Sequence, residues 1–332
     1  MKGLGALPSD ALHVAVVLPC FNVERHIKRV ISSVPEFVRT VIAVDDHSLD
    51  GTRAALAAIR DPRLVIVMHE RNQGVGGAVL SGYQAALERN ADVCVKMDGD
   101  GQMSPDDLPA LLQPIALGEA DYAKGNRFHD VERLATMPKM RLVGNGFLSF
   151  ATKLVSGYWS IFDPTNGYTA IRSEVLRRLD MTKIQRRYFF ETSMLVELNI
   201  LGAVVQDVEM PARYGDETSS LRIRNVLAQF PPLLIRGLLR RFFWRYMIRD
   251  FNALTLCVLA GVPLVLFGLV FGLLRWWQSE ASGVPATAGT VILAALPFLV
   301  GFQCLLIALV LDTLQQPSRT GGPATSGRSR SS

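Results

Sequence analysis

Cysteine is scarce in this 332-residue chain, and the four that occur, Cys20, Cys94, Cys257 and Cys304, lie far apart with no pair at metal-ligand spacing. That pattern excludes a thiolate metal site and reads as reduced, buried small side chains. Long apolar runs are missing before residue 250, and the first ten residues carry one lysine and no apolar core. Nothing there resembles a secretory leader, so the first 250 residues are expected to stay in the cytoplasm. A dinucleotide fingerprint is also lacking. Gly74-Val75-Gly76-Gly77 does not have its glycine spacing and reads either as a ligand-facing loop or as a tight helix entry. Acid is in modest deficit, with 30 Asp and Glu against 35 Lys and Arg. The arginines gather just before the apolar part of the chain, where anionic lipid headgroups are the natural partner, and this argues against nucleic acid.

What the chain has in excess is apolar residues, 49% of the total, concentrated after residue 250. The length allows a domain of more than about 200 residues plus a further segment. The pattern is that of a soluble domain followed by a membrane tail.

Val14 to Leu18 is apolar and mostly β-branched, which predicts a buried strand broken by Pro19 and Asn22 before Ile27, Val30, Ile31 and Val34 recur at helical spacing. Thr40 to Val44 predicts a second strand ending in Asp45-Asp46-His47-Ser48, with Asp50 placed to cap a helix carrying Leu56 and Ile59. Leu64 to Met68 is a third strand, followed by Arg71-Asn72-Gln73-Gly74 and a helix through Leu80, Tyr83 and Leu87; Val93 to Met97 is a fourth. This alternation implies an α/β fold with a mostly parallel sheet and helices on both faces, in which ligands bind outside the carboxyl ends of the strands. Asn22, Asp45, Asp46, Asn72 and the Asp98 to Gln102 group each follow a strand, so four loops are expected to converge on one crevice.

The most informative stretch is Val93-Cys94-Val95-Lys96-Met97-Asp98-Gly99-Asp100-Gly101-Gln102. In an extended backbone Asp98 and Asp100 project to one side, and Gly99 and Gly101 let a ligand approach the main chain. A hard divalent ion takes one or two carboxylates and fills its other positions with water and phosphate oxygens, so the pair suits a cation holding a diphosphate. The competing reading is a solvated Asp-Gly turn.

After Gln102, Ser104 and Pro105 start a helix whose Asp106 and Asp107 suit the helix dipole rather than a ligand. Asp121 to Lys124 predicts a short strand leading to Gly125-Asn126-Arg127-Phe128, and Met140 to Val155 a long helix. Asp163-Pro164-Thr165-Asn166-Gly167-Tyr168 is a turn feeding a strand over Thr169 to Ile171, Phe190-Glu191-Thr192 opens a helix, and Val204 to Met210 is a last strand. Asp163 is either a turn former or a working acid. Glu191 sits at a helix start, where an acid is favoured whether or not it faces a substrate.

With these pieces in order, residues 14 to about 222 resemble the family 2 glycosyltransferases of the GT-A fold, in particular the polyprenyl-phosphate sugar synthases of the dolichol-phosphate mannose synthase type. The likeness rests on Leu18-Pro19-Cys20-Phe21-Asn22, Val44-Asp45-Asp46-His47-Ser48-Leu49-Asp50-Gly51-Thr52, Asn72-Gln73-Gly74, Asp98-Gly99-Asp100-Gly101-Gln102, Gly125-Asn126-Arg127-Phe128 and Asp163-Pro164-Thr165-Asn166-Gly167-Tyr168. It implies that Pro19, Asn22, Asp45, Asp46, Asn72 and Gly74 hold the nucleotide of a nucleotide-sugar donor, one of the two acids contacting the base. It implies further that Asp98, Asp100 and Gln102 bind Mg2+ or Mn2+ bridging the donor diphosphate. A divalent cation there stabilises the charge that develops on a nucleoside diphosphate leaving group in an inverting transfer. Arg127 maps to the family's phosphate-binding arginine, or forms a structural ion pair. Asp163 and Glu191 are the candidate bases for a hydroxyl acceptor, whereas a lipid phosphate needs none. The family's Gly-x-Ser-Lys-Leu segment is altered: this chain reads Gly215-Asp216-Glu217-Thr218-Ser219-Ser220-Leu221-Arg222. Arg213 or Arg222 substitutes for the missing lysine, or Asp216 and Glu217 signal a different ligand geometry. The expected product is a polyprenyl-phosphate sugar, the rivals being a glycan-extending enzyme and an inactive membrane scaffold.

The catalytic domain is expected over 1–221 and a basic amphipathic segment over 222–250. Seven arginines, Arg222, Arg224, Arg236, Arg240, Arg241, Arg245 and Arg249, are interleaved there with apolar residues, and Pro231-Pro232 splits the run. Arg241, Arg245 and Arg249 fall on one stripe and Ile235, Leu239, Phe243 and Met247 on another. The segment is either an interfacial helix or a surface helix packed on the domain. Two spans are expected at about 253–274 and 291–311 within 251–314, each long enough for a bilayer core of about 30 Å, with Pro263 and Pro297 tolerated inside them. One arginine, Arg275, lies between the spans, while Arg319, Arg328 and Arg330 follow them, so both ends are expected to be cytoplasmic. Residues 315–332 read as a disordered tail. A homo-oligomer is compatible with the pattern.

Overall fold

A computed structural model describes residues 12–127, 139–163, 166–211 and 223–319. The chain divides into two compact units, Met1–Gly237 together with Pro317–Ser332, and Leu238–Gln316. This places the division at 237/238, inside the segment that the sequence pattern sets off as juxtamembrane.

The first unit is built on a seven-stranded sheet in the order β3-β2-β1-β4-β6-β5-β7. Its strands are β1 Val14–Cys20, β2 Thr40–Asp45, β3 Leu64–Met68, β4 Val93–Lys96, β5 Tyr122–Asn126, β6 Thr169–Arg172 and β7 Val205–Glu209. Strands β1 to β4 pair in parallel, so their carboxyl ends share one edge. Strand β6 runs antiparallel between β4 and β5. Helices α1 Glu24–Ser33, α2 Thr52–Ala58 and α3 Val75–Glu88 follow β1, β2 and β3; α4 Leu108–Ala116 follows a short 3-10 turn capped by Ser104. Then come α5 Lys139–Ser156, α6 Ser173–Arg178 and α7 Phe190–Leu201.

The central strands read as continuous apolar runs because both sheet faces are covered. Val17, Val44, Cys94, Tyr122 and Ile171 pack on one face with Tyr83 of α3 and Leu195 of α7. Val16, Leu18, Val41, Val95 and Ala123 pack on the other with Ile27 of α1 and Leu111 of α4.

Strand β1 does not stop before Pro19. Its ladder with β2 continues through Pro19 opposite Val44 and Cys20 opposite Asp45, whereas its ladder with β4 ends at Val17 opposite Lys96. Alternate residues of a strand bond to alternate neighbours, so the N–H that proline lacks falls on the β4 side, where the ladder has already ended.

Two further expectations are corrected in the segment leading to the apolar helices. Helix α8, Ile223–Arg241, runs through Pro231 and Pro232, both exposed, so the crowded preceding turn can bend outward without ending the helix. From Phe242 to Arg249 the turns widen to i→i+5, which breaks the four-residue register of Arg241, Arg245 and Arg249.

Arg241 lies in the second unit, where it is buried rather than turned to solvent: its Nη1 and Nη2 reach Asp312 Oδ1 and Oδ2 at 2.6 and 3.0 Å, and Tyr246 Oη donates to Oδ1 at 2.5 Å. An acid in an otherwise apolar helix needs such partners. Ile235, Leu239, Phe243, Trp244 and Ile248 remain exposed.

The apolar helices are α9 Ala253–Ser282 and α10 Ala288–Leu314, both long and apolar enough to cross a membrane. They outrun the apolar spans at both loop ends, because Gly283, in the left-handed conformation, stops α9 only after Ser282, and Thr287 already caps α10. Small residues let the two backbones approach: a Cβ on Gly261 would lie 2.9 Å from the Gly301 carbonyl oxygen, and one on Gly268 2.6 Å from that of Ala294. After Pro317 the chain belongs again to the first unit, where Arg319 donates to the Gly118 carbonyl and to Asp121. The rest of the expected disordered tail, from residue 320, lies outside the described residues.

Candidate active site

Burial explains the first three loops. Asp45 and Asp46 are buried at the end of β2, and a buried carboxylate needs donors. Asp45 accepts from the Ser48 N–H through Oδ1 and from Arg53 through Oδ2. Asp46 accepts from His69 Nδ1 at 2.7 Å and from the N–H groups of Gln73 and Gly74 at 2.8 Å each. Asn22, at φ 56°, accepts from the Leu49 N–H, while its own N–H donates to Ser48 Oγ. Asn72 donates to the Asp46 carbonyl, and Gly74 adopts φ 86°, a conformation that favours glycine. The structure therefore brings Pro19, Asn22, Asp45, Asp46, Asn72 and Gly74 together at one edge of the sheet; Asp46 ties its loop to the Gln73-Gly74 loop, while Asp45 holds Ser48 of its own loop and Arg53 of α2. Along this edge Phe21, Asn22, His47 and Leu49 are exposed, and Ser48, Asn72, Gln73 and Gly74 are half-buried.

The fourth loop starts at the end of β4. Asp98 and Asp100 are half-buried and Gln102 is exposed. Asp100 Oδ1 accepts from the Gln102 N–H at 3.0 Å, an Asx turn, so the turn chemistry read from Asp-Gly-Asp-Gly is present. It does not exclude a ligand, because the turn leaves both carboxylates partly open. Among the described residues no three His, Cys, Asp or Glu side chains gather into a metal cage. Two partly exposed carboxylates suit a hard ion that takes the remaining oxygens from water and phosphate.

Behind Asp98 stand two lysines. Lys96 and Lys124 lie level across the sheet, each opposite Thr169 of β6, which puts them on one face. Both are buried. Lys96 Nζ donates to Asp98 Oδ1 at 2.9 Å and to the Gly167 carbonyl at 3.2 Å, with Glu191 Oε1 of α7 at 3.6 Å. Burial pulls this ammonium down, but Asp98 and Glu191 outweigh it and hold Lys96 above its ordinary range. Lys124 donates to the Asn166 carbonyl, and burial pushes it down to about 8 against the pull of Asp163 and Glu191. Glu191 is thus a counter-charge to buried lysines as well as a helix-start acid.

Asp163 is fully buried and its carboxylate is shared: Arg127 Nε donates to Oδ2 at 2.8 Å, and the Asn166 N–H to Oδ1 at 3.1 Å. The ion-pair reading of Arg127 is therefore present, with the Arg127 side chain 38% exposed. Next to this pair Asp207 accepts from the Phe162 N–H, and burial lifts it to about 6. Phe128, Pro164, Thr165, Arg213 and the Gly215 to Arg222 segment lie outside the described residues.

Sequence reasoning passed over Lys96, Lys124 and His69. For Lys96 the signal was a cation inside an otherwise apolar strand, a residue type almost never buried without a partner.

The profile of Glycosyl transferase family 2 matches residues 15–180. Among curated relatives, a polyprenol monophosphomannose synthase of Mycolicibacterium smegmatis is 32% identical over 68% of this chain and 88% of its own length. A UDP-N-acetylglucosamine–dolichyl-phosphate N-acetylglucosaminyltransferase of Methanococcus voltae is 31% identical over 53% of this chain and 75% of its own. Among solved structures, the glucosyl-3-phosphoglycerate synthase of Mycobacterium tuberculosis in complex with UDP shares the fold, with a TM-score of 0.54 at 23% identity over 73% of this chain and 85% of that one. The mixed sheet with four loops at its carboxyl edge is the GT-A fold. The chain belongs to glycosyl transferase family 2.

Proposed function

We propose that the protein moves a sugar from a nucleotide-sugar donor to a polyprenyl phosphate. The observation that carries this reading is the match to a polyprenol monophosphomannose synthase over 88% of that protein's length, in a chain that also holds two membrane-length helices. The donor nucleotide lies along the Asn22, Ser48 and Asn72 loops, and its diphosphate meets Asp98 and Asp100. A divalent cation bound by these two carboxylates would neutralise charge on the departing diphosphate. An acceptor phosphate oxygen attacks the anomeric carbon from the face opposite the leaving group, the bond to the nucleoside diphosphate breaks, and the configuration inverts. Arg127, held by Asp163 and partly exposed, is the guanidinium that binds phosphate. The test is incubation of the purified full chain with a panel of nucleotide sugars and a polyprenyl phosphate, with the lipid product read by mass spectrometry. A lipid-phosphate hexose is the expected product; hydrolysis of donor without lipid product overturns the acceptor assignment.

The same reading sets α9 and α10 across the membrane with the catalytic unit on the cytoplasmic side. Arg236, Arg240, Arg245 and Arg249 precede the pair and Arg319, Arg328 and Arg330 follow it, against Arg275 alone near the hairpin end. With the connection reduced to residues 283–287, Ser282→Cys in intact cells is expected to react with an impermeant thiol reagent, and Ser326→Cys is not. Labelling only at position 326 reverses the orientation.

A further inference from the structure

A lysine inside a sheet loses its water and persists only where anions and carbonyls replace it. Lys96 meets that condition from three sides: Asp98 on the same strand end, the Gly167 carbonyl on the turn before β6, and Glu191 on α7. The turn is shaped around it, since a Cβ at Gly167 would collide with Lys96 Nζ and come within 3.2 Å of Asp98 Oδ2. The ammonium takes Oδ1 of Asp98, and Oδ2 accepts no hydrogen bond from the described residues. Lys124, level with it and equally buried, donates to the Asn166 carbonyl. One of the two buried lysines is therefore bonded to the carboxylate that meets the donor, and the other is not.

We propose that Lys96 is a positioning residue that holds Asp98 through one oxygen and lowers the affinity of the site for a free divalent ion, so that the ion is retained only together with a diphosphate. This rests on the reading of Asp98 and Asp100 as the carboxylates of the cation site. Without Lys96, the carboxylates of Asp98 and Asp100 would face an incoming ion with one positive charge fewer beside them. A bare ion would then bind tightly whether or not donor was present. With Lys96 in place a fixed positive charge repels the ion, and the negative charge of the diphosphate tips the balance. At an effective dielectric of about 20, one unit charge at ion-pair distance changes the affinity for a divalent ion by more than about tenfold.

The experiment is a titration of the purified full chain with Mn2+, free ion being followed by electron paramagnetic resonance and folding by circular dichroism. Without nucleotide, Lys96→Gln, which can keep hydrogen bonds to Asp98 and Gly167 but carries no charge, and Lys96→Met are expected to bind Mn2+ at least about tenfold more tightly than wild type. Lys96→Arg, which keeps the charge, is expected to stay near the wild-type value, and Lys124→Met likewise. Wild type itself is expected to bind Mn2+ at least about tenfold more tightly with UDP or GDP present. Neutral variants that bind Mn2+ as wild type does, or more weakly, overturn the proposal. So does a wild type whose Mn2+ affinity ignores both nucleotides, a result that needs no variant to fold. If wild type binds no Mn2+ under any condition, the cation reading of Asp98 and Asp100 falls first and takes this proposal with it.

Discussion

Asp100→Asn is expected to lower turnover by roughly 10²- to 10³-fold while leaving the fold intact, and chelation of divalent ions is expected to reproduce the loss in the wild type. The substitution is nearly isosteric, and its amide oxygen can still accept the Gln102 N–H that closes the turn. What disappears is one of two negative charges at the end of β4. Asp98 cannot make good the loss, because Lys96 already holds its Oδ1. A cation that stabilises the leaving diphosphate by several kcal/mol, at about 1.4 kcal/mol per tenfold in rate, accounts for the predicted range. The checks are initial rates with saturating donor and acceptor, and a thermal melt to show that the variant is folded. Near-normal turnover in Asp100→Asn, or in wild type under excess chelator, removes the cation from the reaction.

The repeat of strand, loop and helix is legible because each β-branched run ends in a polar turn, and this places Asn22, Asp45, Asp46, Asn72 and Asp98 at one edge of the sheet. Features that depend on partners distant in sequence were not legible. Pro19 reads as a strand breaker until the register shows that its missing N–H faces the side where β4 has ended. Lys96 reads as an oddity in a strand until Gly167 and Glu191, 71 and 95 residues later, supply its carbonyl and its second anion. Arg241 reads as a headgroup arginine until Asp312, 71 residues on, claims it. Asp46 reads as one of two acids after a strand until Gln73 and Gly74, 27 and 28 residues on, bring their N–H groups to its carboxylate. In each case a local pattern gave the residue a place, and a buried charge or donor seeking its partner decided what the place was for.

A polyprenyl phosphate is expected to be used at least about 10²-fold faster than the corresponding polyprenol, because the alcohol needs a base and the two candidate bases, Asp163 and Glu191, are engaged with Arg127 and Lys96. A phosphomonoester has a second pKa near 6 and arrives at neutral pH already largely ionised, so its oxygen attacks without giving up a proton. An alcohol must lose one as the bond forms. Asp163 shares its carboxylate between Arg127 and the Asn166 N–H, and Glu191 faces Lys96. Asp163→Asn and Glu191→Gln are therefore expected to lose activity through disturbed phosphate binding and an unbalanced lysine, as a rise in KM or a loss of fold. That loss is not expected to be recovered at higher pH or by a small external base. A general base behaves oppositely: its removal costs roughly 10²- to 10⁴-fold in turnover, and external base restores part of it. Turnover of both variants against pH, with polyprenyl phosphate and polyprenol as acceptors, separates the two cases. Rescue by base in either variant, or equal use of the alcohol, would make the acceptor a hydroxyl and the protein an enzyme that extends a glycan at the membrane.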